Sequence, residues 1–563
     1  MDTRRWHAQY DEGVPPSIDY ELFPVAENLE RAARQWPDRT ALIFLNARVT
    51  YAQLLDQVKR FATALSRLGV VKDSKVAIHL PNIPQTVVAY YATLSLGAQV
   101  VMTNPLYVSR ELVHQWNDAE IEVAVTSDFL WERSLKPIRD QLPVKHYVIA
   151  SIPHALKFPL NLLAPLKLKK LNPPAWAPMP KGDGLHSMKE LLRDTPADPP
   201  AVSVSVEELA VLQYTGGTTG VSKAAMLTHR NLVVNMQQCR AWMQALQPGQ
   251  EVVLAALPYF HIFGMTVCMN LPVFLGATIV LMPNPRDIPL LIKSLSKHRV
   301  TLFPGVPAHF HAINTTPGIG NVDLTSVKGC FSGSAPLPED TMRTFEKLAD
   351  SVIFEGYGLT ETSPASHVNP MVGERKVGTV GMPISDTDSK IVDMNDASKE
   401  LEIGEEGELL IRGPQVMKGY WKRPEETAEA IQDGWLFTGD LATMDADGYF
   451  KIVGRKKDMI IASGCNIYPD EIDRVLIDHP AVAEACTIGV PDPRRGETVK
   501  SFVVLVEGQS VTADALIAWS RENLAAYKIP RAVEFRSELP KSAMMKLLRR
   551  ELRDEEIAKQ ASG

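Results

Sequence analysis

Apolar, β-rich runs alternate with helical patterns along most of this chain, and that rhythm constrains its fold more than any other feature. Val76–Leu80 reads as a buried strand, followed by a helix near Gln85–Leu96 and a second strand near Ala98–Met102. The rhythm recurs at Val252–Ala256, Ala277–Leu281 and Val300–Phe303. Strands alternating with helices of about 10 residues or more argue for βαβ units and largely parallel sheets, so the predicted class is α/β. Asp388–Arg412 differs: its short β runs are separated by Gly, Asp and Glu, as in a small antiparallel β lobe. No self-similarity at a period of about 20–50 residues is visible, which argues against a solenoid. At 563 residues the chain has room for three or four folding units of roughly 150 residues, or for one large multi-lobed enzyme.

Lysine plus arginine number 59 against 66 aspartate plus glutamate, a net charge of −7. That balance lacks the strongly basic face of a general nucleic-acid binder, so no nucleic-acid partner is expected. Hydrophobic residues make up 45% and charged residues 22%, a globular composition that excludes disorder for the bulk. Cys239, Cys268, Cys330, Cys465 and Cys486 are too few for a disulfide scaffold and show no CxxC spacing, so zinc-ribbon and thioredoxin readings fail. A reduced thiol set in the cytoplasm is the expectation. The N-terminal MDTRRWHAQYDEGVPPS has no apolar core behind its arginines and does not read as a signal peptide. The most hydrophobic stretches, Thr86–Met102 and Leu271–Met282, fall short of the roughly 18 consecutive apolar residues of a spanning helix, so a soluble protein is expected.

Pro153–Pro180 stands apart, rich in Pro and Leu with Lys157, Lys167, Lys169 and Lys170 interleaved. That mixture suits weak peripheral contact with an anionic membrane surface, at its inner face, or with a lipid substrate. The plainer reading is a surface excursion with snorkelling lysines, kept short by its prolines.

The strongest local signal is Tyr214-Thr-Gly-Gly-Thr-Thr-Gly-Val-Ser-Lys223, directly after the apolar run Leu209–Leu212. Its glycines let backbone amides approach an anion closely, while threonine hydroxyls and a terminal lysine add donors and charge. This is a phosphate cradle, but not the usual P-loop, because Gly-Lys-Ser/Thr is absent. Further on, Glu355-Gly-Tyr-Gly-Leu-Thr-Glu-Thr362 sets two glycines around a tyrosine, with Thr360 and Glu361 suited to a phosphate oxygen and a divalent metal. Asp433-Gly-Trp-Leu-Phe-Thr-Gly-Asp440 ends on a carboxylate that can accept hydrogen bonds from both ribose hydroxyls. Gly454-Arg-Lys-Lys-Asp458, Gly464-Cys-Asn-Ile-Tyr-Pro-Asp-Glu471 and Pro540-Lys-Ser-Ala-Met-Met-Lys546 complete the set.

In this order, YTGGTTGVSK, EGYGLTET, DGWLFTGD, GRKKDMI, SGCNIYPDEI and PKSAMMK resemble the motifs of the AMP-forming acyl-CoA synthetase (adenylate-forming ligase) superfamily, over a span from about Pro24 to Arg550. The stretch DGWLFTGDLATMDADGYFKIVGRKK is similar to the signature of fatty acyl-CoA synthetases, and the Lys/Leu/Pro excursion resembles that of bacterial long-chain members. The resemblance implies an N-terminal adenylating domain, residues 1–453, and a mobile α+β C-terminal domain, residues 454–563. It also implies a two-step reaction. A carboxylate attacks the α-phosphorus of ATP to give an acyl-AMP and pyrophosphate, and coenzyme A thiolate then displaces AMP. Carboxylates are poor acyl donors, so a phosphate leaving group must be installed first. The charge that builds on its oxygens is stabilised by Mg²⁺ and lysines.

Carried onto this sequence, the resemblance implies that Thr215, Gly216, Gly217, Thr218, Thr219, Gly220 and Lys223 hold the β- and γ-phosphates. Gly333, Ser334 and Ala335, with Glu355, Gly356, Tyr357 and Gly358, would wall the adenine, and Tyr357 would stack on it. Thr360 would bond the α-phosphate, Thr215 and Glu361 would hold Mg²⁺, and Asp440 and Arg455 would bind the ribose. His261 would sit near the substrate carboxylate, and Lys546 would touch the α-phosphate and carboxylate during adenylation. Lys457 falls at the family's hinge, and Gly464 with Asn466 at its thiolation face. The partners implied are a fatty acid, most naturally long-chain, with ATP and coenzyme A; oligomerisation is left open. Plainer readings stand beside these: glycines that only shape turns, and a His261 satisfied within the core. Three departures from the family pattern are Met545 before the adenylation lysine, Ser222 and Ala224 in the phosphate loop, and Met265 where some long-chain enzymes carry a gating tryptophan. The alternatives are an aryl, medium-chain or carrier-protein acyl ligase of the same fold, or a nucleotide-binding relative whose catalysis Met545 has disabled.

Overall fold

The computed structural model describes residues 4–215, 222–462, 465–492, 496–542 and 546–562. Gly216, Gly217, Thr218, Thr219, Gly220, Gly464 and Met545 lie outside the described residues. The βαβ rhythm produces two large sheets. One runs in spatial order Leu185–Ser187, His146–Ala150, Val123–Ser127, Lys75–His79, Gln99–Met102, Leu209–Thr215 and Lys223–Thr228. All its pairings are parallel except the last. The other has nine strands. Its centre, from Thr40–Phe44 through Thr278–Leu281, Val252–Ala255, Leu302–Gly305 and Gly329–Ser332 to Ile353–Gly358, is parallel, and antiparallel strands close both edges. One hydrophobic core joins them, uniting Val76, Ile78 and Val100 with Val253, Ala255 and Ile279.

The hydrophobic stretch at Thr86 is the helix Pro84–Ser95, whose residues from Pro84 to Leu94 are all buried. A helix that is apolar all round belongs inside a protein or a membrane, and at 12 residues this one is a core helix. Among the described residues no helix is long and apolar enough to cross a membrane. The strand expected at Val300 begins two residues later, at Leu302. The reason is turn chemistry. Arg299 adopts φ +48°, and the Val300 N–H closes back on Leu295 O (3.0 Å), which caps the helix Ile288–Lys297.

Asp388–Arg412 does form antiparallel structure: Asp388–Val392 pairs with Gly407–Arg412, which pairs in turn with Trp435–Met444. Phe450–Arg455 adds to the far side of Trp435–Met444 and sets Arg455 opposite Asp440. Beyond it a smaller C-terminal domain builds its own five-stranded sheet from Ile460–Ala462, Cys465–Ile467, Val482–Asp492, Gly496–Leu505 and Ala532–Phe535. This domain carries two cores of its own, one around Ile460, Ile472 and Val503 and one around Ile488, Phe502 and Leu552. Cys239, Cys268, Cys330 and Cys486 are free and buried.

Candidate active site

In parallel α/β sheets, ligands collect beyond the carboxyl ends of the strands, and Thr215, His261, Gly333 and Tyr357 lie at or just after such ends. Leu209–Thr215 and Lys223–Thr228 form an antiparallel pair in which Thr215 stands directly opposite Lys223. A hydroxyl on one strand and an ammonium on the other thus face each other at the end of this pair. Of the loop's departures, Ala224 is buried and Ser222 half-buried. Lys223 is ion-paired with Glu426, and its Nζ lies 4.8 Å from the centre of the Tyr420 ring.

Ile353–Gly358 delivers the second set. Glu355 is buried and accepts the Leu337 N–H (3.0 Å), and burial pushes its carboxyl up to about 7. Gly358 is obligatory on steric grounds, since a Cβ there would lie 2.0 Å from the Pro364 carbonyl oxygen. Tyr357 donates its hydroxyl to Asp440 Oδ2 at 2.5 Å, while Arg455 Nε reaches Asp440 Oδ1 at 2.7 Å. Asp440 is 2% exposed, so both oxygens of a buried carboxylate are engaged by protein. The Asp440 charge raises the Arg455 guanidinium above its ordinary range. Burial and the same carboxylate hold the Tyr357 hydroxyl protonated.

Thr360 opens the single 3₁₀ turn Thr360–Thr362. Glu361, on that turn, accepts a hydrogen bond from the Tyr420 hydroxyl at 2.7 Å. The Tyr420 backbone N–H is held by Thr427 Oγ1 (2.9 Å), and Tyr420 bridges to Ala225 beside the phosphate loop. Gly333 is buried against Phe263, Ser334 takes φ +74°, and Ala335 is exposed at the mouth of the same loop.

His261 is half-buried and caps the short helix Ile262–Met265, its Nδ1 accepting the Phe263 N–H (3.3 Å). That bond leaves the proton on Nε2. Burial, reinforced by the Lys546 charge, lowers the imidazole to about 4, so it is neutral at pH 7 with one donor free. Met265 is fully buried and ends that helix.

Lys546 comes from the C-terminal domain yet lies within electrostatic reach of Arg455, Asp440 and His261. Its side chain remains open to solvent, so repulsion by Arg455, the larger cause, is what holds its ammonium near 8. The backbone at Lys546 is fixed by a reciprocal pair: Ser542 N–H donates to Lys546 O (2.8 Å), and Lys546 N–H to Ser542 Oγ (3.2 Å). Lys457 is exposed in the short turn between Phe450–Arg455 and Ile460–Ala462, the link from the body's last strand to the C-terminal sheet. Asn466, exposed in the strand Cys465–Ile467, is turned to solvent on that sheet's edge.

Sequence reasoning did not find Tyr420, Glu426 or Ser542. Lys418-Gly-Tyr-Trp-Lys-Arg-Pro-Glu-Glu426 carried a signal, an aromatic pair and a charge run ahead of a proline that opens the helix Pro424–Ala430. A metal would find hard oxygen donors here, the Glu361 carboxylate and the Thr215 hydroxyl. No group of three or more His, Cys, Asp or Glu side chains able to hold a metal occurs among the described residues. One carboxylate and a hydroxyl fit Mg²⁺ arriving with a nucleotide, because Mg²⁺ takes few protein ligands and keeps phosphate oxygens and water.

Residues 29–421 match the AMP-binding enzyme family, and residues 471–546 match the AMP-binding enzyme C-terminal domain. The chain is 41% identical over 559 residues to a long-chain-fatty-acid–CoA ligase of Bacillus subtilis, covering 99% of both chains. Its fold matches an anthranilate CoA ligase, AuaEII, solved with anthranoyl-AMP, at a TM-score of 0.85 and 26% identity, over 96% of this chain and 98% of that one. ATP-bound MatB from Rhodopseudomonas palustris matches at a TM-score of 0.81 and 27% identity, over 94% and 98%. With the first match covering well over half of the chain and the second following it in order, the chain belongs to the AMP-binding enzyme family.

Proposed function

We propose that this enzyme joins a long-chain fatty acid to coenzyme A, in two steps through an acyl-AMP, with ATP converted to AMP and pyrophosphate. The observation that carries the reading is the Asp440 carboxylate held by the Tyr357 hydroxyl (2.5 Å) and Arg455 Nε (2.7 Å), within electrostatic reach of Lys546 from the C-terminal domain. The full-length similarity to a fatty-acid ligase supports the choice of acid. The division of the chain near Val453, with Lys457 as pivot, is part of the proposal. So is a setting in the cytoplasm, at the inner face of the membrane where such acids partition.

The residue roles are part of the proposal. Asp440 exchanges its Tyr357 hydrogen bond for the ribose hydroxyls, and Tyr357 is freed to lie against adenine, whose wall is Gly333–Ala335 and Glu355–Gly358. Lys223 leaves Glu426 for the β- and γ-phosphates. The neutral His261 presents its Nε2–H to the acid's carboxylate and holds an oxygen towards the α-phosphorus. As that oxygen bonds to phosphorus, the bond to pyrophosphate breaks, and Lys546 with Thr360 takes up the charge on the non-bridging oxygens. Mg²⁺, held through Glu361 and Thr215, supplies neutralisation of phosphate charge when bound. In the second step the thiolate of coenzyme A attacks the acyl carbon and AMP leaves, at a face that includes Gly464 and Asn466. Pyrophosphate release measured across acids of two to eighteen carbons, followed by thioester detection with coenzyme A, tests the reading. A preference for aryl or short acids, or for a carrier protein over coenzyme A, would overturn it.

Two expected results arise from the site itself. Tyr420→Phe removes the hydroxyl donor to the Glu361 carboxylate, and hydrogen bonds to charged groups are worth about 1.5–3 kcal/mol. The variant should fold normally, need more Mg²⁺ for half-maximal ATP binding in calorimetry, and lose roughly tenfold or more in kcat/KM for ATP. The second concerns pH. Because the Lys546 ammonium is lowered to about 8, its charge is present below that value and lost as pH rises through it. Adenylation kcat/KM should therefore fall on the alkaline side of about pH 8. In Lys546→Arg, a slower enzyme with a cation that does not titrate, that limb should be absent.

A further inference from the structure

The Pro153–Pro180 excursion folds into a helix, Leu160–Leu168, in which no residue is buried. Phe158, Leu160, Leu162, Leu163, Leu166 and Leu171 are all exposed, Phe158 at 76% and Leu166 at 67%. A helix with leucines all round belongs in an apolar medium, and on a surface it signals contact. Elsewhere among the described residues no window of that length exposes more than two large apolar side chains.

Charge runs the same way. From Asp140 to Asp183 the sequence contains no carboxylate between the two, while Lys145, Lys157, Lys167, Lys169, Lys170 and Lys181 all fall inside, in a chain of net charge −7. The patch is also seated on the body. Asn46 Nδ2 donates to Lys157 O (3.0 Å), and Lys157 N–H donates to Asn46 Oδ1 (3.2 Å). Ala164 and Leu168 pack on the main core, and Ala175 N–H closes on Leu168 O (3.0 Å). Exposed Leu45, next to Asn46, extends the same apolar surface.

We infer that this helix is a docking surface for a bilayer carrying anionic headgroups: its leucines and Phe158 enter the headgroup boundary and Lys157, Lys167, Lys169 and Lys170 meet lipid phosphate. The inference rests on the long-chain reading only for its purpose, since an acid dissolved in lipid is best collected there. Its occupant follows from charge complementarity joined to an apolar face. Each lysine near such a surface is worth about fivefold in partitioning, so the four together contribute on the order of 10²-fold or more.

The test is sedimentation of the full chain with phosphatidylglycerol–phosphatidylcholine vesicles, and with phosphatidylcholine alone. Binding is expected to the anionic vesicles at low salt and to weaken as salt rises, because the attraction is screened. The quadruple Lys→Glu variant should lose at least 10²-fold in binding, and L162S/L163S/L166S should lose it with the lysines intact. Pyrophosphate release with a short, water-soluble acid should be unchanged in both variants, which shows that they fold. Wild-type protein that stays in the supernatant at low salt would overturn the inference. So would equal binding to neutral vesicles, or a concentration-dependent dimer that the serine variant abolishes without lipid. Vesicle binding by a protein with no ligase activity would sink the functional reading and leave this one standing.

Discussion

Lys546→Ala should reduce acyl-AMP formation by on the order of 10²–10³-fold while sparing thioester formation from supplied acyl-AMP. On the proposed role, the substitution removes a charge that stabilises the developing phosphate oxygens, and no solvent ion replaces it in a prearranged position. The substitution is also clean. The backbone at Lys546 is held by Ser542 on both its N–H and its carbonyl, and neither bond involves the side chain that is lost. Three residues on, Arg549 pairs with Asp470 and Asp473 and donates to Thr487 O, which ties the chain to the helix Pro469–Ile477. The backbone at Lys546 should thus keep its place. Pyrophosphate exchange reports the first half-reaction and thioester yield from synthetic acyl-AMP the second. Equal loss in both would mean that Lys546 serves the protein as a whole and not the adenylating step.

What the sequence made legible were the strings whose composition had one plain use. A Gly/Thr loop ending in lysine, a tyrosine between glycines and an aspartate ending a Gly-rich strand each announce themselves within ten residues. The structure brings Tyr357, Asp440 and Arg455 together with the tyrosine hydroxyl on the carboxylate, a contact no string displays. Tyr420 and Glu361 are 59 residues apart, and their bond depends on how a loop from the antiparallel lobe returns to the parallel sheet. Local composition does not encode that. The same limit explains the late start of Leu302–Gly305: apolar periodicity ran on through Val300, and only the left-handed Arg299 reveals that the helix is still closing there. At Leu160–Leu168 the sequence left two readings open, because leucines at five of nine positions, broken by Pro165, mark no single face as the buried one. The structure shows that none is.

The second large effect is expected at Lys457. The residue follows the last strand of the body, where Lys456 N–H donates to Gly439 O (2.9 Å) and Asp458 N–H to Arg455 O (3.0 Å). Those bonds flank Lys457 and fix the turn on both sides. Lys456 is further tied by its side chain to Glu408 (2.8 Å), so the body's grip ends there. Beyond Met459 the chain enters the separate sheet of the C-terminal domain at Ile460. In the proposed mechanism a rotation carries Lys546 away from Arg455 and brings the Asn466 edge towards the acyl group, and a few φ/ψ angles in this stretch would absorb it. Proline at 457 locks φ near −65° and also bars the α region to Lys456. The prediction is that Lys457→Pro leaves one half-reaction within a few-fold of normal and lowers the other by on the order of 10²-fold, because the two require different settings of the same angles. Single-turnover assays of acyl-AMP formation and of its transfer to coenzyme A distinguish the halves. Stability to urea should change little, since the Lys457 side chain is exposed. Near-normal turnover in both halves would place the pivot elsewhere, and parallel loss in both would point to a damaged fold rather than a locked hinge.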